Sequence, residues 1–183
     1  MKPQVYWPIL GFFLLLLPFL PTLLDARLGF LYRDLSHFHL PVKHMWVQGM
    51  QELGRPPLWL PPLGGGVPGL TEVANAYFHP FNLVFLLFPG DIVRAMTFFI
   101  FFHHLAIYIG GYLLFRHLRI LPPLAVLGGL ALAHCGYAMS SDNLLHELGS
   151  QMAIPYFVLF WLKSRSQPLT SPWLALAGLA LGF

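Results

Sequence analysis

Residues 7–24 read WPILGFFLLLLPFLPTLL, an apolar stretch without a charged side chain. As an α-helix rising about 1.5 Å per residue, the stretch is just long enough to cross a hydrocarbon core of about 30 Å. Its prolines lie near its ends, where a missing backbone N–H costs least. It therefore predicts a first membrane span, and because no small-residue cleavage site follows, we expect the span to be retained.

The rest of the chain is also rich in hydrophobic residues and poor in charged ones. Of 183 residues, 57% are hydrophobic and 9% are charged, whereas a soluble domain carries about a quarter charged residues. Apolar runs predict three more spans at 121–139, 144–162 and 93–115. The last run, 173–183, would reach only about 16 Å as a helix and reads as an incomplete fifth span, which is expected of a truncated chain. The predicted fold class is all-α: a polytopic transmembrane helical protein with a long first outer loop, residues 25–92.

Basic residues indicate the orientation of the predicted spans. They flank one side consistently: Lys2, Arg116 with Arg119, and Lys163 with Arg165. The positive-inside rule assigns that side to the cytoplasm. We therefore expect a multi-pass protein of the bacterial cytoplasmic (inner) membrane, with a cytoplasmic N-terminus and with loop 25–92 and turn 140–143 outside.

The outer loop has structure of its own. Apolar residues at helical spacing predict an amphipathic helix over 42–53 that lies on the membrane surface and ends at Gly54: Val42, Met45, Trp46, Met50 and Leu53. The proline- and glycine-rich segment that follows excludes regular helix and favours extended chain. Residues 81–88 are apolar but too short to span, so they are re-entrant, interfacial or an extension of the next helix.

Asp34 is the candidate catalytic residue, ten positions beyond the first span. A carboxylate at the membrane's outer edge is placed to act as a general base on an acceptor hydroxyl. Two structural roles compete with this interpretation. An aspartate beside an arginine, here Arg33, is commonly one half of a solvated ion pair, and an aspartate also commonly caps a helix.

Several short motifs follow one another in this loop. Residues 33–41 read RDLSHFHLP, 54–61 GRPPLWLP, 64–68 GGGVP and 77–83 YFHPFNL. Gly136-Tyr137 and Ala153-x-Pro155 follow later. This series resembles the first extracytoplasmic loop and early spans of YfhO-like membrane proteins, over nearly the whole chain. The chain departs from that pattern at Leu60, where an asparagine is common, and at His79, where an aromatic residue often stands.

The resemblance implies a glycosyltransferase of the GT-C class. Such a protein would transfer a sugar, with inversion, from a polyprenyl-phosphate donor to a glycan or envelope-polymer acceptor on the outer face of the membrane, with Asp34 as the base. It implies membrane lipid as a partner, and no cofactor, metal or nucleic acid. The family has more spans than this chain, so the chain would be the N-terminal part of such an enzyme.

Four further residues are candidates for substrate binding. Arg33 and Arg55 are outer-loop cations suited to a lipid phosphate, although snorkelling or headgroup contact is the more usual explanation of such residues. Trp59 could stack on a sugar ring or anchor the loop at the interface. Glu147 lies in the first turn of the fourth predicted span, near His134, Asp142 and His146 in the sequence, and could face the same outer cavity as Asp34.

Other functions have weaker support in the sequence. His37, His39 and His44 are close enough to suggest a metal site with Asp34, but Pro41 interrupts their spacing. His103 and His104 fall within a predicted span, where hydrogen bonds to a neighbouring helix explain them. No phosphate-binding loop or dinucleotide fingerprint is present in the sequence. The alternative function is a non-catalytic polytopic protein: a transporter-like or assembly subunit, or an inactive fragment.

Overall fold

The computed structural model describes residues 6–25, 28–29, 33–60, 65–69, 77–165 and 171–181. These residues are mainly helical, as predicted for an all-α chain. The longer helices are α1 (Tyr6–Leu16), α2 (Leu20–Leu24), α3 (Leu40–Leu53), α4 (Leu83–Leu87), α5 (Ile92–His117), α6 (Pro122–Ala133), α7 (Gly136–Ser140), α8 (Leu145–Ser164) and α9 (Pro172–Leu181). Three short 3₁₀ turns are Leu17–Phe19, Pro80–Asn82 and Ser141–Asn143, and Leu35–His39 is a π-helix. Strands β1 (Trp59–Leu60) and β2 (Val67–Pro68) pair antiparallel in the proline- and glycine-rich segment.

Three helical segments are long and apolar enough to cross a membrane: Tyr6–Leu24, Ile92–His117 and Pro122–Asn143. The first two match the spans predicted at 7–24 and 93–115. The third covers the run predicted at 121–139, but it is interrupted at His134, so that α6 and α7 are separate helices. The fourth predicted span forms α8, which is outside this set of three because its first turns are polar. The run at 173–183 forms α9, which is ten residues long.

The chain divides into two compact units. The first contains Met1–Pro18, His103–Ser140 and Glu147–Phe183. In it α1 packs on α6, and Tyr108 Oη donates a hydrogen bond to the carbonyl of Pro8 at 3.0 Å. Glycines allow the helices to approach: a Cβ added at Gly129 would lie 2.8 Å from the carbonyl oxygen of Tyr108, on α5. Small residues are the usual means of close packing between apolar helices.

The second unit contains Phe19–Phe102 and Ser141–His146. Its centre is α3, which packs against α4. The predicted amphipathic helix 42–53 therefore exists, but it begins at Leu40 and buries its apolar face within the protein, at Val42, Trp46 and Val47. Leu53, which the sequence placed on that face, is 62% exposed. Gly54 ends the helix in the left-handed conformation, at φ 65°, as expected of a helix-terminating glycine.

Pro41 does not break the segment 35–53. Because Pro41 has no N–H, the turn before it cannot complete the α-helical series of hydrogen bonds. The N–H of Leu40 instead bonds to the carbonyl of Leu35, five residues back, which makes Leu35–His39 a π-helix that continues into α3.

Residues 81–88 form a helix separate from α5. The 3₁₀ turn Pro80–Asn82 leads into α4, and Phe88 and the Pro89-Gly90 turn separate α4 from Ile92. Val84 and Phe85 are buried, and the ring of Phe88 stacks on that of Phe98 at 5.1 Å between centroids. Of the three interpretations left open by the sequence, extension of the next helix is therefore wrong.

Helix packing in the first unit predicts the effect of enlarging a glycine. Gly129→Ala should lower the free energy of unfolding in detergent by about 1–3 kcal/mol, because the new methyl group meets backbone atoms that cannot rotate away. Gly178→Ala on α9 is the matched control, since its Cβ meets nothing within 4 Å and alanine is the better helix former. Thermal unfolding followed by circular dichroism should rank the variants in that order, and equal stability of Gly129→Ala and wild type would contradict the close approach.

Candidate functional site

Asp34 stands at the N-terminus of the π-helix with its carboxylate exposed. Its side chain makes no capping hydrogen bond. No ion pair joins Asp34 to Arg33 or to another residue that the structure describes. The carboxylate of Asp34 therefore has neither of the two structural roles considered above, which are capping a helix and pairing with Arg33.

The carbonyl of Arg33 closes a turn over residues 33–36, which includes Asp34. Arg33 is in the left-handed region, at φ 50°, which costs a non-glycine residue on the order of 1 kcal/mol. Its carbonyl oxygen accepts hydrogen bonds from the N–H of Ser36 at 3.2 Å and from Ser36 Oγ at 2.9 Å. The backbone of Arg33 and the hydroxyl of Ser36 thus close the turn, which leaves the carboxylate of Asp34 outside it. Backbone strain of this kind clusters at functional sites.

Arg55 and Trp59 lie beyond the other end of α3. Arg55 follows Gly54 and is exposed, and Trp59 on β1 is 53% exposed. The indole lies against the backbone of Gly66, where an added Cβ would be 2.4 Å from Trp59 Cζ2. Gly66 has φ 111°, a conformation that also requires glycine. The hairpin therefore supports one side of the Trp59 ring and leaves the residue half exposed.

Four of the five predicted site residues belong to the same unit. Arg33, Asp34, Arg55 and Trp59 lie in the second unit, although no hydrogen bond or ion pair between described residues joins their side chains. Glu147, in the first turn of α8, belongs to the first unit and is half-buried.

A buried lysine that the sequence analysis did not select lies at the centre of the second unit. Lys43, on α3, is 1% exposed. Its Nζ donates a hydrogen bond to Asn82 Oδ1 at 2.6 Å. The same ammonium lies 5.0 Å from the ring centroid of Phe99 and 5.6 Å from that of Phe85. Lys43 is thus surrounded by one amide oxygen and two aromatic rings.

Hydrogen bonds extend from Lys43 into two of the sequence motifs. Asn82 Nδ2 donates to the carbonyl of Tyr77 at 2.8 Å, within the motif YFHPFNL. Tyr77 Oη donates to the carbonyl of Pro57, within the motif GRPPLWLP. We call Lys43, Asn82, Tyr77 and Pro57 the lysine network. It links α3 to two of the motifs that follow it in the loop, so α3 and these two motifs are parts of one structure.

Burial determines the titration of the groups in this region. It lowers the pKa of Lys43 from 10.5 to about 7. Burial, and then the charge of Lys43, lowers the pKa of His79 to about 4, while burial raises the pKa of Tyr77 to about 12. His79 is accordingly neutral at pH 7, and its Nδ1 accepts a hydrogen bond from the N–H of Phe81 at 3.3 Å. The amide oxygen of Asn82 and the rings beside Lys43 stabilise the charged lysine against this burial.

The sequence did contain a signal for Lys43. Residues 39, 42, 43, 46 and 47 recur at the three- and four-residue spacing of one helix face, and all of them are buried. A lysine within an otherwise apolar stripe therefore indicated a buried cation. Its partner Asn82 was present within the quoted motif 77–83, but no local rule connects it with a residue 39 positions earlier.

Comparison of the chain with protein families, with curated proteins and with solved structures finds no match.

The lysine network predicts a specific dependence of stability on pH. The folded-state pKa of Lys43, about 7, lies below its unfolded value of 10.5, so the unfolded chain binds more protons between these values. The contribution of Lys43 to stability is therefore greatest above pH 10.5 and is lost as the pH falls towards 7. From pH 7 to 9.5 the free energy of unfolding should rise by about 3 kcal/mol from this group.

Denaturant titrations in detergent, followed by tryptophan fluorescence, measure this rise. Lys43→Met keeps the length of the side chain but removes the titrating group, so it should flatten the rise. Lys163→Met is the control, because Lys163 lies over the ring of Trp173 at the end of α8 and is only half-buried. A rise that survives in Lys43→Met would show that another group causes it.

Proposed function

We propose that this chain is a multi-pass membrane protein that acts as a glycosyltransferase of the GT-C class. It would transfer a sugar from a polyprenyl-phosphate donor to a glycan or envelope polymer on the outer face of a bacterial cytoplasmic membrane. The observation that carries the proposal is Asp34, which follows an apolar segment long enough to span. Its carboxylate is exposed, makes no capping hydrogen bond and forms no ion pair with a described residue. The motifs around Asp34, which resemble those of YfhO-like proteins, support the same function.

In the proposed reaction, Asp34 is the general base. An acceptor hydroxyl donates its proton to the carboxylate while its oxygen forms a bond to the anomeric carbon of the sugar. The bond from that carbon to the phosphate oxygen breaks, and the polyprenyl phosphate leaves with the electron pair. Attack opposite the leaving group inverts the anomeric carbon. A base of this kind typically contributes about 10²–10⁴ to the rate.

The lysine network would give the base a fixed support. Asp34 leads directly into the helical segment 35–53, and Lys43 lies on that segment nine residues later. Because Lys43 is bonded to Asn82, the helix cannot rotate about its axis without breaking a buried charge-assisted hydrogen bond. The motif YFHPFNL therefore supports Asp34 indirectly, through the bond from Lys43 to Asn82. A catalytic loop would require the motif for this reason.

The remaining residues suit binding of the donor. Arg33 and Arg55 present guanidinium groups, whose planar geometry fits the oxygens of a phosphate. Trp59 offers an aromatic surface held by the hairpin, which suits the apolar face of a sugar ring.

The base assignment predicts the effect of removing one charge. Asp34→Asn keeps the shape of the side chain but removes its basicity, so transfer should fall by about 10²–10⁴. Membranes containing the full chain would be supplied in turn with undecaprenyl phosphate carrying radiolabelled glucose, galactose or N-acetylglucosamine, and incorporation into polymer would be measured. Glu52→Gln is the matched control, because Glu52 is an exposed carboxylate at the far end of α3, and it should leave transfer unchanged.

Two outcomes of this experiment would count against the proposal. Equal and mild effects at Asp34 and Glu52 would make Asp34 a surface charge. Absence of transfer by the wild-type chain with all three donors, in membranes where it is folded, would favour the non-catalytic alternative. Thermal unfolding of each variant separates a loss of chemistry from a loss of structure.

The proposed orientation places the loop 25–92 outside the cell. His37 is exposed in the π-helix, so His37→Cys in a Cys135→Ala background should present the only thiol of the chain there. A membrane-impermeant maleimide should then label intact spheroplasts as fully as lysed ones. Arg119→Cys, at an exposed position between α5 and α6, is the opposite control and should label only after lysis. The reverse pattern would invert the topology.

A further inference from the structure

A cavity of about 340 Å³ in the first unit lies between the final turns of α5 and α8. Three side chains that donate hydrogen bonds line it. Arg116 and His117 belong to the last turn of α5, and Lys163 belongs to the last turn of α8. Arg116 and Lys163 are half-buried and His117 is exposed, so a ligand can reach all three from the surface. The cavity therefore offers two cations and an imidazole N–H to one ligand.

The rest of the lining is mainly apolar. On α5, Leu113 lies one turn before His117. On α8, Leu159 and Phe160 lie one turn before Lys163. One turn of helix is about 5.4 Å, so the apolar wall lies deeper along both helices than the cations do. A ligand that matches this lining has an anionic end and an apolar body.

Helix α9 holds the ammonium group of Lys163 in place. Lys163 Nζ lies 4.2 Å from the ring centroid of Trp173, which is a cation–π contact. The Trp173 ring also stacks on that of Phe160, at 6.0 Å between centroids. Trp173 thus supports both a residue of the apolar wall and a cation. Because Lys163 is positioned before a ligand arrives, less side-chain entropy is lost on binding.

The charges of the first unit are strongly unbalanced. Its amino-acid sequence contains one acidic residue, Glu147, which lies sixteen residues before Lys163, about 24 Å along α8. It contains five lysines and arginines: Lys2, Arg116, Arg119, Lys163 and Arg165. No ion pair joins Arg116, His117 or Lys163 to a residue that the structure describes. The cations of the cavity therefore suit an anion supplied by a ligand.

The end of α5 uses one N–H group of Arg116. Nη1 donates a hydrogen bond to the carbonyl of Ile120 at 2.6 Å, which satisfies a backbone acceptor just beyond the helix. A guanidinium carries five N–H donors in one plane, so four others can bond to a ligand. Their planar geometry fits two oxygens of a phosphate group. Arg116 is thus held by the backbone while it presents donors to the cavity.

We propose that this cavity binds the phosphodiester group of an anionic glycerophospholipid, of which phosphatidylglycerol is the simplest example. The phosphate oxygens accept hydrogen bonds from Arg116, His117 and Lys163, and an acyl chain lies along the apolar wall. The basic ends of α5 and α8 are those assigned above to the cytoplasmic side, where basic pockets between membrane helices bind anionic headgroups. The inference rests on the membrane placement proposed above and not on sugar transfer.

The charge of the cavity favours an anionic headgroup over a zwitterionic one. Phosphatidylcholine carries the same phosphodiester, but its quaternary ammonium would add a further cation beside Arg116 and Lys163. Among the described residues that line the cavity, no acidic side chain could pair with that ammonium. A soluble phosphate ester would satisfy the cations but would leave the apolar wall uncovered. An anionic lipid matches both parts of the lining.

The test titrates the purified full chain in detergent with dioleoyl phosphatidylglycerol, and native mass spectrometry measures the bound lipid. Dioleoyl phosphatidylcholine has the same acyl chains and should bind about tenfold more weakly, because its ammonium opposes the charge-assisted hydrogen bonds. Glycerol 3-phosphate has the anionic group without acyl chains, and an equal concentration of it should not displace the lipid. Both comparisons use the wild-type chain and require no substitution.

Paired variants distinguish a built site from general attraction between a basic surface and an anionic lipid. Lys163→Gln should weaken binding of phosphatidylglycerol about tenfold, the value of one charge-assisted hydrogen bond. Arg165→Gln removes the same charge two residues later, where the guanidinium lies 5.8 Å from the ring centroid of Trp161 and outside the lining. It should weaken binding by less than about twofold. Arg116→Gln and Arg119→Gln form a second pair beside α5, with the same expected order.

Three outcomes would overturn the proposal. General attraction would reduce binding by the same factor, about fivefold, at both members of each pair. Equal affinity for phosphatidylglycerol and phosphatidylcholine would show that the cations do not select the headgroup, and displacement by glycerol 3-phosphate would make the ligand a soluble phosphate. Thermal unfolding without lipid verifies that each variant is folded. The assay contains no sugar donor and no intact cells, so its failure leaves the proposed transferase activity and orientation untouched.

Discussion

The hydrogen bond from Lys43 to Asn82 constrains most of the second unit. An ammonium group loses its hydration when it is buried, and a short bond to an amide oxygen and two aromatic faces stand in place of that water here. A helix that carries such a group has a defined rotation, because every other orientation would leave the charge without a partner or the apolar stripe exposed. The orientation of α3 and the course of the chain from Tyr77 to Asn82 both depend on this pair.

Proline and glycine determine the local geometry around that pair. Pro41 converts the turn before it into a π-helix, which carries the chain from Asp34 into α3 without a break. Gly54 ends α3, and Gly66 allows the Trp59 ring to lie on the hairpin backbone. In the first unit, Pro155 leaves the carbonyl of Gln151 without its helical donor, while Gly110 and Gly129 allow the helices to approach. Glycine therefore permits the close approach of helices, and proline causes the interruptions in their hydrogen bonding.

The two units combine apolar packing with polar groups in different ways. In the second unit, the buried polar groups Lys43 and Asn82 bond to each other and stabilise a loop whose exposed carboxylate is available for chemistry. In the first unit, His104 Nδ1 lies 2.6 Å from the carbonyl of Ala133, which satisfies a polar group inside a helix of spanning length. Gln151 is different, because its side chain is buried and its Nε2 has no hydrogen-bond partner among the described residues.

The features that depend on local properties could be predicted from the amino-acid sequence alone. Apolar run length predicted the helices at 7–24 and 93–115, glycine chemistry predicted the end of α3 at Gly54, and the helix over 42–53 followed from its spacing. Other features could be seen only in the three-dimensional structure, because they depend on residues far apart in the chain. The burial of α3 within the protein and the pairing of Lys43 with Asn82 required three-dimensional contacts, as did the finding that Asp34 neither caps the helix nor pairs with a described residue. The physical reason is that hydrophobic periodicity identifies which face of a helix is buried, whereas the partner of a buried charge is selected by packing between segments that no local pattern relates.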